Sequence, residues 1–264
     1  MRGDAMLYSA IAITALMLFT WVLSVVLKNA SIVDVVWGLG FVVVAWVVAL
    51  TIDGDASRRN LLTAMVTIWG LRLAIHLYIR NHGKGEDWRY VAMRKKRGSQ
   101  FAIFSLVTVF GLQGTLMWLV SLPVQLGNAD STPGIGPIAV IGIVVWCVGI
   151  SFEVIGDRQL ARFRTDPQSS GKVLDTGLWS ITRHPNYFGD SLVWWGIAIV
   201  AAETGSGAIG LIGPVAMTFF LMKVSGVPML ERSMIKRKPG YAEYMQRTSG
   251  FFPLPPKKPL PPKK

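Results

Sequence analysis

Gly177-Leu-Trp-Ser-Ile-Thr-Arg-His-Pro-Asn-Tyr-Phe-Gly-Asp190, continuing as Ser-Leu-Val-Trp-Trp-Gly196, sets a dense polar run at the lip of an apolar helix. Pro185 stands where the first turn of a helix tolerates proline, and the residues after it grow steadily more apolar through Val200 and Ala201. A membrane helix is therefore predicted to begin here. Its opening turn carries Asn186 and Asp190, four apart and so on one face, with Tyr187 beside them and Arg183 and His184 just before. Free N–H groups and partial positive charge at a helix start, joined by a guanidinium, make a receptor for an anion such as phosphate or carboxylate. A cofactor site is expected at this lip. The alternative is a polar interfacial cap that only anchors the helix.

Working outward, half of the 264 residues are apolar and only 16% are charged, which points to an all-α polytopic membrane protein rather than a soluble domain. Apolar segments at about 5–27, 32–52, 61–80, 102–125, 137–157, 186–202 and 206–223 predict about seven transmembrane helices. The net charge of +12 would suggest nucleic acid in a soluble chain, but its distribution argues against that partner. Of 27 basic residues, 22 lie in Arg80–Arg97, Arg158–Arg183 and Lys223–Lys264. These three segments must share a side, cytoplasmic by the positive-inside rule, which puts the amino terminus outside and the carboxyl terminus inside. The connections around Asp130 and Glu203 then fall outside. The lone Cys147 excludes a disulfide framework and a cysteine metal site within one chain, and no metal is expected. The first helix reads as retained, without a convincing cleavage pattern after it. Residues 1–253 read as a single domain, and the Pro/Lys-rich end, 254–264, as a disordered tail near anionic lipid.

Helix two opens Ser31-Ile-Val-Asp34-Val-Val-Trp37-Gly38-Leu-Gly40. An acid in lipid is costly, so Asp34 is expected to face the bundle interior with a partner, for which Arg72 on helix three is the first candidate; a first-turn acid complementing the helix dipole is the alternative. Ser31 is a reasonable N-cap. Gly38 and Gly40 would let a helix or a flat ligand approach the backbone. His76 reads as a satisfied core histidine. Glu86-Asp87-Trp88-Arg89-Tyr90 is a candidate cap over the cytoplasmic mouth, and the following Arg94-Lys-Lys-Arg97 a lipid-headgroup contact. Gln113 is either helix–helix glue or a substrate donor, and with Trp37 and Trp118 it makes the set of candidate substrate contacts. Glu153, Asp157 and Arg164 share a helical face directed at the region of Arg183 and Asn186, as a nucleotide cofactor would require; a salt-bridged helix end is the alternative. Tyr241 and Tyr244 offer stacking faces for a base, and Arg232 and Arg247 phosphate contacts. Thr204-Gly-Ser-Gly-Ala-Ile-Gly210 follows no strand and is set aside as a dinucleotide loop.

Four separated motifs, Ser-Ile-Val-Asp34-x-x-Trp-Gly, Glu86-Asp-Trp-Arg-Tyr90, Phe152-Glu-x-x-x-Asp157-x-Gln-Leu and Gly177-Leu-Trp-x-x-x-Arg183-His-Pro-Asn-Tyr-Phe-Gly, together resemble bacterial membrane proteins of the steroid 5-alpha-reductase-like family over about residues 30–255. The resemblance implies a seven-helix bundle with a cytoplasm-facing cavity in the bacterial inner membrane. It also implies an enzyme that uses NADPH to reduce a carbon–carbon double bond conjugated to a carbonyl in a hydrophobic small molecule. Position by position it implies cofactor contacts at Asp157, Arg164 and Asn186, with Glu153 one turn earlier, and a closing segment near Glu231, Arg232 and Tyr241. Arg183, His184, Tyr187 and Asp190 of the central motif complete the expected cofactor set.

Such a reaction needs a hydride donor at the beta carbon and an acid or preorganised donor at the developing enolate oxygen. In the steroid enzymes a Gln-Glu pair and a Tyr serve; by spacing Asp34 and Trp69 fall near those places, so Asp34 is the expected acid, modulated by Arg72. Tryptophan lacks the hydroxyl, which argues against a 3-oxo-steroid. Arg-His-Pro-x-Tyr, a later Glu-Arg and Gly-Tyr-x-x-Tyr also resemble membrane methyltransferases acting on isoprenylcysteine or phospholipid, in which those residues hold S-adenosylmethionine. Abundant arginines favour the anionic dinucleotide over the cationic methyl donor. A transporter would need more mid-membrane ionisable residues. Substrate identity and oligomeric state are not legible.

Overall fold

The computed structural model describes residues 2–224 and 226–257, so the end of the tail, 258–264, lies outside the described residues. The described secondary structure is wholly helical: α1 Arg2–Val26, α2 Ile32–Thr51, α3 Ala56–Asn81, α4 Trp88–Arg97, α5 Phe101–Ser105, α6 Leu112–Val120, α7 Leu122–Asn128, α8 Pro137–Thr165, α9 Leu178–Ile181, α10 Pro185–Ala201, α11 Ile212–Phe219, α12 Val227–Arg237 and α13 Tyr241–Arg247. Among the described residues six continuous helical runs, rather than seven, are long and apolar enough to cross a membrane, and the chain is an integral membrane protein. The remaining expected span, 186–202, exists as α10. At 17 residues it reaches only about 26 Å against a hydrocarbon core of roughly 30 Å.

Two other expected spans are less regular than their hydropathy suggested. The run from Trp88 to Val120 contains a 3-10 turn at Gly98–Gln100 and a π-helical stretch at Leu106–Gly111. It closes before α7 restarts with Pro123 in its first turn, because proline has no N–H to continue the ladder. The expected 206–223 helix is a 3-10 turn at Gly207–Leu211, then α11, then a π-helical stretch at Phe220–Val224.

The chain divides into two compact units. Unit 1 comprises Met1–Gly142 and Ile197–Gly213. Its α2 and α3 meet at glycines: a Cβ on Gly38 would stand 2.5 Å from Gly70 O, and one on Gly70 would stand 2.6 Å from Gly38 O. Backbone approach of that kind is what small residues permit between membrane helices. Gly38 is therefore filled by a helix, and Gly40 by the thioether of Met117. Trp37, Phe41 and Trp69 pack edge to face beside this crossing, with ring centroids 5.1 and 5.4 Å apart along the row. At the far end of the unit, Asp130 accepts from Arg2, Ser206 and the Thr132 N–H. Glu203 accepts from the N–H groups of Gly136 and Ala139 at 3.2 and 2.6 Å, capping the start of α8 as an acid should.

Unit 2 comprises Ile143–Gly196 and Pro214–Lys264. Glycines again set its helix contact: a Cβ on Gly189 would stand 2.6 Å from Gly149 O, and one on Gly156 3.2 Å from the Pro185 ring. α8 and α10 thereby run close enough for polar side chains one turn along to meet. The carboxyl segment is not loose from residue 254: the Leu254 N–H donates to Ile181 O and the Lys257 N–H to Arg247 O.

Candidate functional site

The central motif sits in unit 2, where Pro185 starts α10 as the sequence predicts. Glu153 and Asp157 on α8 are 2% and 8% exposed, depths at which acids are tolerated only with partners. Asn186 Nδ2 donates to Asp157 Oδ1 at 3.4 Å, joining the two helices, and Asn186 Oδ1 accepts from the Tyr187 N–H. Glu153 lies against Gly189 one turn away. The predicted convergence of Glu153, Asp157 and Asn186 is thus present, with a carboxamide and buried carboxylates on facing helices. Asp190 is half-buried on the next turn of α10.

Arg183 does something the sequence did not suggest. Its Nε donates to Glu231 Oε1 at 2.7 Å, and its Nη1 donates to the carbonyls of Met245 and Thr248. Both side chains are about 11% exposed, so this is a sheltered, charge-assisted pair that ties the motif to α12 and α13. The arginine expected to receive a phosphate is instead committed to the fold. Thr182 Oγ1 donates to Phe251 O and Trp179 Nε1 to Gly156 O, and Tyr244, 1% exposed, donates its hydroxyl to Trp179 O. Tyr241 is also buried, its ring 5.6 Å from that of Tyr244. Burial lifts the hydroxyl pKa of both tyrosines above the ordinary value. Their rings pack inward rather than offering the stacking faces expected. Arg247 pairs with Asp175, while Arg232 is exposed.

His184 is 1% exposed, stacks on Tyr187 with ring centroids 5.4 Å apart, and places Nε2 3.1 Å from Glu231 Oε1. Burial pulls its pKa below the usual histidine value, against the opposing pull of Glu231, which keeps the ring neutral near pH 7. A neutral ring beside a carboxylate carries its hydrogen on Nε2. Nδ1 is then an acceptor, buried with no hydrogen-bond partner among the described residues.

The second set of predicted residues lies in unit 1. Asp34 accepts from the Arg89 guanidinium at 2.6 Å, and the Tyr90 hydroxyl donates to its other oxygen at 2.9 Å. Arg89 also reaches Asp87 at 2.8 Å, and the Asp87 N–H donates to Ser31 Oγ at 2.6 Å, so Ser31 anchors a loop instead of capping its own helix. Glu86 completes the clamp, accepting from the Ala30 N–H and twice from Arg94. Burial works to raise the Glu86 carboxyl pKa, but those donors outweigh it and hold the group below its ordinary value. Trp69 is fully buried against Phe41 as a packing residue, and Trp118 donates to Met6 O. Gln113 is half-buried on α6. Arg89 and Tyr90 as partners of Asp34 could be found only as members of an unusual acidic-aromatic run, since nothing local links them to a residue 55 positions earlier.

Residues 20–248 match the family described as "Protein of unknown function (DUF1295)". An uncharacterized protein of Schizosaccharomyces pombe is similar at 23% identity over 278 residues, covering 88% of this chain and 75% of that protein. No solved structure matches.

Proposed function

The chain belongs to the DUF1295 family, and from that premise we propose that it is a membrane reductase whose unit 2 cradles NADPH. The observation that supports this reading is the meeting of Asp157 and Asn186 across α8 and α10, with Glu153 buried one turn away. Carboxylates and a carboxamide held by glycine-set helix contact can accept from, and donate to, the hydroxyl and amide groups of a nucleotide. Arg183 and Arg247 are committed to Glu231 and Asp175, so positive charge for its phosphates would come from Arg232, exposed on α12. NADPH would supply the hydride for a double bond conjugated to a carbonyl in a hydrophobic substrate. The enolate oxygen then needs a donor, which Trp69, without a hydroxyl, does not supply.

One observation favours a second reading. Two of the four arginines that distinguish an anionic from a cationic cofactor are paired with Glu231 and Asp175. That balance suits S-adenosylmethionine and a methyltransferase acting on a lipid. Equilibrium binding of NADPH, NADH and S-adenosylmethionine to the detergent-purified chain decides between them. Saturable NADPH binding, weakened about tenfold in Asn186→Ala, is expected, and methyl-donor binding without dinucleotide binding would replace the reductase by the methyltransferase.

A further inference from the structure

The end of unit 1 that carries the Asp34 clamp has a second, outward face. Two uncharged stretches meet it, residues 5–27, which end at Lys28, and residues 98–129, which begin after Arg97. Each is long enough to cross a hydrocarbon layer, so Lys28 and Arg97 stand at its edge, where headgroups begin. α4 lies at that edge, and helical spacing divides it. Tyr90 and Arg94, four apart, turn inward to Asp34 and Glu86, while Trp88, Ala92, Lys95 and Lys96 share the exposed face.

The charge left over on this surface has one sign. Its acids are spent on α4: Asp34 and Asp87 accept from Arg89, and Glu86 from Arg94. Asp55 belongs to the opposite end, where its N–H donates to Asp130 O. Lys28, Lys84, Lys95, Lys96 and Arg97 are exposed, with no carboxylate partner among the described residues. Arg97 is held in place, its guanidinium 4.0 Å from the centre of the Phe104 ring at the start of the apolar run. Leu27, Trp88 and Met93 are exposed beside these cations. Basic, aromatic and apolar groups mixed at the edge of a hydrocarbon layer suit an anionic lipid surface. Free phosphate would meet the cations but leave the apolar side chains in water.

We propose that this face seats anionic phospholipid headgroups, and that their occupancy holds the clamp on α2 closed. The clamp grips α2 and the residues before it through Glu86, Asp87, Arg89 and Tyr90, so opening it moves α4. That movement strips the headgroups from the outer face. Lipid charge thereby stabilises the Asp34–Arg89–Tyr90 group without touching it, whichever cofactor unit 2 takes.

Hydrogen exchange on the full chain tests this, in nanodiscs of phosphatidylcholine alone and of phosphatidylcholine mixed with phosphatidylglycerol. The Ala30 and Asp87 amides report on the clamp, since they donate to the side chains of Glu86 and Ser31. Phosphatidylglycerol is expected to slow their exchange at least about fivefold, the worth of one basic group at an anionic surface, and high salt to remove the gain. Lys95→Gln/Lys96→Gln/Arg97→Gln is expected to exchange alike in both lipids. The same charge loss in the tail, Lys258→Gln/Lys263→Gln/Lys264→Gln, should keep the wild-type response. Lys96→Gln alone serves where the triple variant does not fold, and is expected to lose part of the response. Equal wild-type exchange in the two lipids, a gain that survives high salt, or a full response in the α4 variants overturns the proposal. A response lost in the tail variant moves the lipid contact to the tail and overturns it as well.

Discussion

Glu231 receives Arg183 at 2.7 Å and His184 at 3.1 Å on the same carboxylate oxygen, so the two most conspicuous residues of the central motif converge on one side chain 47 and 48 positions later. Sequence logic assigned all three to a cofactor. The geometry assigns them first to holding the motif against the carboxyl-terminal helices, and the expected behaviour of variants follows from that.

Removing one member of a sheltered ion pair leaves the other charge uncompensated, which costs about 3–5 kcal/mol. Glu231→Ala and Arg183→Ala are both expected to lower the melting temperature of the purified protein sharply, with non-additive effects in the double variant. Melting curves equal to wild type for either single variant would contradict the linchpin role.

His184 titrates against the fold. Its pKa is depressed in the folded state, so the unfolded chain takes up a proton first as pH falls through about 6.5. Stability attributable to a neutral His184 is fully present above that pH and declines below it, until the folded-state pKa is passed. Wild type should lose melting temperature between pH 7 and 5.5 more steeply than His184→Gln, which has no ring to protonate; parallel slopes would remove His184 as the cause.

Asn186 touches Asp157 through a 3.4 Å hydrogen bond, a modest structural contribution. Asn186→Ala is expected to weaken NADPH binding about tenfold while stability falls by only about 1 kcal/mol. Isothermal titration beside a melting curve checks both, and unchanged NADPH affinity would take Asn186 out of the cradle.

At Asp34 the comparison is between two oxygen groups. Tyr90→Phe removes the hydroxyl and keeps the ring, and Asp34→Asn removes the charge and keeps the shape. Both are expected to spare NADPH binding and to lower the melting temperature of the purified protein, since each removes one contact of the Asp34–Arg89–Tyr90 group; melting curves equal to wild type would show that the group does not hold the loop to α2.

Close helix contact gives a last, purely steric expectation. A side chain at Gly189 or Gly149 meets the facing backbone at under 3 Å, so Gly189→Val should separate α8 from α10, costing about 1–3 kcal/mol and NADPH binding together. A stable variant with intact binding would show that this glycine contact does not set the spacing of the two helices.

Much of this molecule was legible in one dimension because the bilayer reads hydropathy, a local property. Composition and apolar run length determined an all-helical integral membrane protein, and Pro185 marked the start of α10 through its missing N–H. The convergence of Asp157 with Asn186 also followed from helical spacing once α8 and α10 were taken as neighbours. Pairing of charges was not legible. That Asp34 meets Arg89, and whether Arg183 meets a phosphate or Glu231, turns on which loops fold back and how far, and side-chain type is blind to that. A guanidinium offers the same five donors to a carboxylate, a carbonyl or a phosphate. Only tertiary structure decides which acceptor lies within 3 Å, because that distance is set by the helix contacts at Gly38, Gly70, Gly149 and Gly189 and not by the charged residues themselves.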